Sequence, residues 1–107
     1  MVDKLLGMLG LARRAGRLSS GHDASFESIR KGKAKACLLC GDASDRLKEE
    51  FGRTAKYEGR DVPVIEIPYL KDDLYAATGI RAAVLTIDDE GFAKKIISLA
   101  EELLNGN

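Results

Sequence analysis

Ala36-Cys37-Leu38-Leu39-Cys40-Gly41-Asp42-Ala43-Ser44 is an apolar run closed by a turn that opens a helix. An unbroken apolar stretch of this length predicts a strand over 35–40 that is buried on both faces. Leu47 and Phe51 then recur at helical spacing. Downstream, Gly59 and Pro63 bracket a loop before a strand at Val64-Ile65-Glu66-Ile67, which Pro68 ends. A short helix over 69–77 is stopped by Gly79, and a buried strand is expected over 82–87. Asp88-Asp89-Glu90 opens the last helix, where acids suit the positive end of the dipole. Its apolar stripe is Phe92, Ala93, Ile96, Ile97, Ala100, Leu103 and Leu104.

Upstream, Leu5, Met8, Leu9 and Ala12 share one face of a helix over about residues 3–15, stopped by Gly16. Leu18-Ser19-Ser20 is short and extended. A second helix runs over 21–31, with Phe26 and Ile29 on its core face and Gly32 at its end. Ser20 and Asp23 have capping-box spacing at its start. Helices alternate with short buried strands, which predicts an α/β sandwich on a mixed sheet with one marginal strand. The 107 residues are read as a single domain, 1–107, with no repeat and no linker.

Composition narrows the function. Hydrophobic residues are 45% and charged residues 32%, which excludes global disorder. With no Trp, three Tyr and three Phe, a large aromatic platform for single-stranded nucleic acid is not expected. No apolar run approaches the roughly 20 residues of a membrane span, so a cytoplasmic protein without membrane attachment is expected. The apolar start over 5–12 reads as the first helix and not as a cleaved signal. Net charge is zero, but residues 1–36 carry +5 and residues 37–107 carry −5. A basic first third either forms a local patch that the average hides or is spread over solvated helix faces.

Cys37 and Cys40 form a lone Cys-x-x-Cys. On a strand these positions point to opposite faces, and a single His leaves a zinc set incomplete. Buried, free thiols are expected, with no metal and no cofactor. Asp42 follows a buried strand, as in phospho-receiver domains, but no acidic pair ends an earlier strand. His22 lacks a nucleophile or second acid spaced around it and reads as an exposed loop residue.

The chemistry-bearing stretch is Leu11-Ala12-Arg13-Arg14-Ala15-Gly16-Arg17-Leu18-Ser19-Ser20-Gly21-His22-Asp23-Ala24. Glycine permits close backbone approach, and a helix start exposes unpaired N–H groups that suit phosphate. Arg13, Arg14, Arg17, Arg30, Lys31 and Lys33 flank Gly21 in sequence and are the expected phosphate-positioning set.

Leu9-Gly10-Leu11-Ala12-Arg13-Arg14-Ala15-Gly16, Ser20-Gly21, Ile29-Arg30-Lys31-Gly32-Lys33-Ala34-Lys35, Gly41-Asp42-Ala43-Ser44 and Asp89-Glu90-Gly91-Phe92-Ala93 resemble the L-seven-Ae family of ribosomal proteins. Among its members the small bacterial YlxQ type is most similar. The resemblance implies a three-layer α/β/α sandwich around a mixed, about four-stranded sheet. It also implies a non-enzymatic RNA-binding protein, since many members bind kink-turns, sharp RNA bends flanked by sheared G·A pairs. Such bends are recognised by shape and by bases made accessible in them.

The family's helix-opening glycine is Gly21. Its following Asn, Glu and Lys positions hold Asp23, Ala24 and Glu27 here, and Glu27 replaces a donor with an acid. These departures count against standard G·A recognition. The family's second RNA-facing loop is Thr78-Gly79-Ile80-Arg81-Ala82, where Ile80 either packs on a base or fills the core, and Arg81 either pairs with phosphate or stays solvated. Asp42 and Ser44 border this surface or cap the third helix. The expected partner is structured RNA, ribosomal or otherwise kink-turn-like, bound by a monomer, with ribosomal proteins as further partners. The alternative is a protein-interaction module on the same fold, favoured by Asp23, Glu27 and the acidic remainder of the chain.

Overall fold

The computed structural model describes residues 3–105. Helix α1 (Lys4–Arg14) precedes strand β1 (Leu18–Ser20), helix α2 (His22–Arg30), strand β2 (Ala36–Cys40) and helix α3 (Asp45–Thr54). A 3-10 turn at Tyr57–Gly59 leads to β3 (Val64–Ile67), α4 (Lys71–Thr78), β4 (Val84–Ile87) and α5 (Glu90–Leu104). The sheet order is β1-β4-β2-β3. β4 runs antiparallel to both β1 and β2, while β2 and β3 are parallel. The sheet is therefore mixed, and three-residue β1 is its marginal edge strand.

Strand alternation divides the core in two. Ala36, Leu38 and Cys40 of β2, with Leu85 and Ile87 of β4, pack against α1, α4 and α5 through Leu5, Leu9, Leu74 and Ile96. Cys37 and Leu39, with Val84, face α2 and α3 through Ile29 and Phe51. Helices on both faces make an α/β/α sandwich, and each fully buried Leu or Ile contributes roughly 1.5–3 kcal/mol. Cys37 and Cys40 thus lie on opposite faces, both buried and free. Burial pushes the Cys37 thiol up to about 12 and, with Asp42 nearby, the Cys40 thiol up to about 11, so both stay protonated at neutral pH.

One polar cluster ties three elements together. The Asp88 carboxylate accepts from Ser19 Oγ (2.5 Å), Ser28 Oγ (2.5 Å) and Thr86 Oγ1 (2.9 Å). Ser28 and Thr86 are buried, so the carboxylate satisfies hydroxyls that water cannot reach.

Several expectations need correction. Phe26 is 38% exposed and does not join the core; Ile29 and Ser25 take the buried face of α2. The Ser20–Asp23 capping box is absent, because Gly21 occupies the N-cap and no side chain caps α2. Ser44 does cap α3, accepting from Leu47 N at 3.1 Å. Asp42 caps α4 instead, accepting from Lys71 N at 3.1 Å. Leu103 and Leu104 are exposed, so the buried stripe of α5 runs out at Ala100.

Candidate nucleic-acid interface

β4 begins beside the end of β1, and Gly21 N donates to Val84 O at 2.9 Å. This brings the start of α2 against the loop that precedes β4. Gly21 has φ 93° and ψ 167°, a region that side chains strongly disfavour. No atom lies within 4 Å of where its Cβ would be, so conformation, not crowding, requires glycine. A shallow groove of about 400 Å³ opens here, lined by Gly21, His22, Leu47, Lys71, Arg81 and Ala82 among others.

The loop is held from below. Gly79 ends α4 at φ 79°, donating to Tyr75 O at 2.8 Å. Thr78 Oγ1 donates to Leu74 O and accepts from Ile80 N at 3.1 Å. Ile80 is 2% exposed and belongs to the core, so its side chain serves packing and presents nothing to a base. Arg81 remains at the surface, its guanidinium 4.0 Å from the Tyr75 ring centre, a cation–π contact that limits its freedom. The Arg13 guanidinium reaches the same loop, 3.6 Å from the point a Gly79 side chain would occupy. There it also meets the C-terminal, negative end of α4.

His22, Asp23 and Ala24 form the exposed first turn of α2. His22 is the first residue of this helix and not a free loop residue. Its Nε2 lies 2.8 Å from Glu50 Oε2 and its Nδ1 lies 3.2 Å from Asp23 Oδ1. Its ring meets Phe51 edge-on at 5.4 Å. Hydrogen bonding to Glu50 first, and to Asp23 second, raises the imidazole pKa above its ordinary 6.5. Glu27, one turn further on, is engaged by Arg30 at 2.8 and 3.1 Å and by Lys31 at 3.8 Å. The Arg30 guanidinium holds the Glu27 carboxyl below its usual range.

The sequence-adjacent cations do not form one patch. Arg13 reaches the 78–82 loop at Gly79, and exposed Arg14 follows it at the last position of α1. Arg17 lies at the other end of β1, where its carbonyl accepts from Asp88 N. Arg30 is the last residue of α2, about 12 Å from its start, and Lys31 and Lys33 follow it. No local signal in the sequence marks Lys71 as a site residue; only the fold of α4 brings it to the groove.

A three-layer sandwich on a mixed sheet, with a glycine-opened helix beside a cationic loop, defines an L-seven-Ae-like α/β protein. The chain belongs to the Ribosomal protein L7Ae/L30e/S12e/Gadd45 family, whose model matches residues 3–97. It is 34% identical over 98 residues to the RNA-binding protein YlxQ of Enterococcus faecium, covering 92% of each chain. To the RNA-binding protein YlxQ of Bacillus subtilis it is 33% identical over 99 residues, covering 88% of this chain and 92% of that one. Among solved structures, a protein of unknown function from Bacillus halodurans superposes with TM-score 0.85 at 26% identity, covering 94% of this chain and 100% of the other. The Giardia lamblia 15.5kD RNA binding protein shares the fold, with TM-score 0.68 at 18% identity, over 92% of this chain and 82% of the other. Among the described residues no helix is long and apolar enough to cross a membrane.

Proposed function

We propose that this chain is a non-enzymatic RNA-binding protein, one domain over 1–107, that docks the first turn of α2 and the 78–82 loop onto a structured, kink-turn-like RNA. The carrying observation is the convergence of Gly21 and His22 with Lys71 and Arg81 around one groove, with Arg13 reaching the adjoining loop at Gly79. Gly21 permits close approach of backbone to RNA, and the free N–H groups of the α2 start face phosphate. Arg13, Lys71 and Arg81 neutralise the strand, while Arg17, Arg30, Lys31 and Lys33 act on more distant phosphates. RNA binding in the named relatives supports this reading, and the chain's membership of a ribosomal-protein family makes a ribosomal RNA, with ribosomal proteins alongside, the setting we favour.

The test is a titration against a consensus kink-turn and the same RNA with its G·A pairs destroyed, at two salt concentrations. Preference for the intact bend is the expected result. Equal, salt-sensitive binding to both would leave only electrostatic attraction. One observation favours a second reading, a protein-interaction module. Asp23 is fully exposed at the helix start and Glu27 is occupied by Arg30, so neither position offers the donor a G·A pair needs. A partner retained after nuclease treatment, with neither RNA bound, would favour it.

A further inference from the structure

A second groove, about 490 Å³, lies between α2 and α3. That volume falls within the roughly 300–1,000 Å³ of small-ligand clefts. Phe26 and Arg30 line it from α2, Arg53 from α3, Tyr57 from the turn after α3, and Arg60 beyond. Both rings are exposed, Phe26 at 38% and Tyr57 at 59%. Among the described residues the lining holds three guanidinium groups and no carboxylate, although Glu27 meets Arg30 at its edge. Arg60 Nη2 donates to Arg30 O at 2.6 Å, and its Nε is buried with no acceptor among the described residues.

The groove continues from the candidate interface. His22, Phe26 and Arg30 recur every fourth residue and share one face of α2. The His22 and Phe26 rings lie nearly parallel, 6° apart with centroids at 6.4 Å. An aromatic track therefore leads from the start of α2 into the groove, about 12 Å along the helix. Aromatic faces with neighbouring arginines suit a planar base joined to a phosphate: rings stack, and guanidinium groups fork onto phosphate oxygens. An acidic peptide would satisfy the arginines but leave both rings uncovered. Two rings fit one nucleotide, consistent with a chain too poor in aromatics for an extended platform.

We propose that this groove binds an unpaired nucleotide of the RNA strand that leaves the interface at the start of α2. Its base lies against Phe26 and Tyr57 and its phosphate on Arg53 and Arg30. The inference rests on the RNA-binding reading and adds a second contact site to it.

The test uses fluorescence anisotropy with three probes: a blunt kink-turn RNA, the same RNA with a short single-stranded flank, and a free uridine oligonucleotide. The variants are Tyr57→Ala and Arg53→Ala, both at exposed positions, with thermal melts to verify folding. The flank should tighten wild-type binding about fivefold or more, as loss of one stacked base implies. Each variant should abolish that increment and bind blunt RNA as the wild type does. A flank without effect, or an increment retained in both variants, would overturn the groove while leaving the kink-turn reading intact. Tyr57-dependent binding of the oligonucleotide without kink-turn binding would do the reverse. Tyr57-dependent binding of a Glu-rich peptide, with no oligonucleotide bound, would assign the groove to a protein and overturn the inference.

Discussion

His22 shows how much a neighbour decides about a residue. Glu50, from α3, and Asp23 hold the imidazole, and both favour its protonated form. The folded state therefore binds this proton more tightly than the unfolded chain does. The resulting stabilisation is fully present below the ordinary value of 6.5 and fades as pH rises through the higher folded value. We expect His22→Gln to narrow the gap between urea midpoints measured at about pH 5.5 and 8, with its deficit confined to the acid side. A deficit of equal size at both pH values would mean that packing on Phe51, not charge, is what the ring supplies. Ile80 makes the opposite point. A β-branched residue in a loop reads equally well as a base contact or a core residue, and only its burial separates the two.

Among the elements, α2 depends most on its anchors. No side chain caps its start, and its hold on the sheet includes Ser28 bound to Asp88. Asp88→Ala would leave the buried Ser28 and Thr86 hydroxyls without their acceptor. Hydrogen bonds to a charged group contribute about 1.5–3 kcal/mol each, with partial overlap, so a loss of about 2–4 kcal/mol is expected in chemical denaturation. A change under about 0.5 kcal/mol would mean that water replaces the carboxylate. Helices α1, α3 and α5 were legible from their apolar period, and their caps are local: Asp3, Ser44 and Asp89 all accept from backbone three residues on. The apolar face of α2 was misread, because Phe26 has the right spacing but lies over a groove that no element fills. Asp42 does not cap α3, for a related reason. Its position beside α3 is local, whereas the backbone N–H it accepts from lies 29 residues away.

For the whole molecule, the even charge balance conceals how its cations are distributed. Lys71 and Arg81 gather near the start of β4 and Arg13 reaches Gly79, while Lys33 follows the far end of α2. If the first set meets RNA, Lys71→Ala and Arg81→Ala should each flatten the salt dependence of binding by about one unit in log–log slope. Lys33→Ala should change it less. Equal effects from all three would indicate a diffuse field instead of an interface. The sequence by itself determined the α/β class, the order of elements, the opposite facing of Cys37 and Cys40, and Gly21 as the opening of α2. These follow from period, side-chain alternation and turn chemistry, which are local properties of the chain. The tertiary structure alone decided that Lys71 shares a groove with Arg81, that Arg13 reaches the loop at Gly79, that Arg17 lies at the other end of β1, and that Phe26 and Tyr57 flank one cleft. Those placements depend on strand order and on helices crossing a sheet, contacts between residues far apart in sequence that no local pattern encodes.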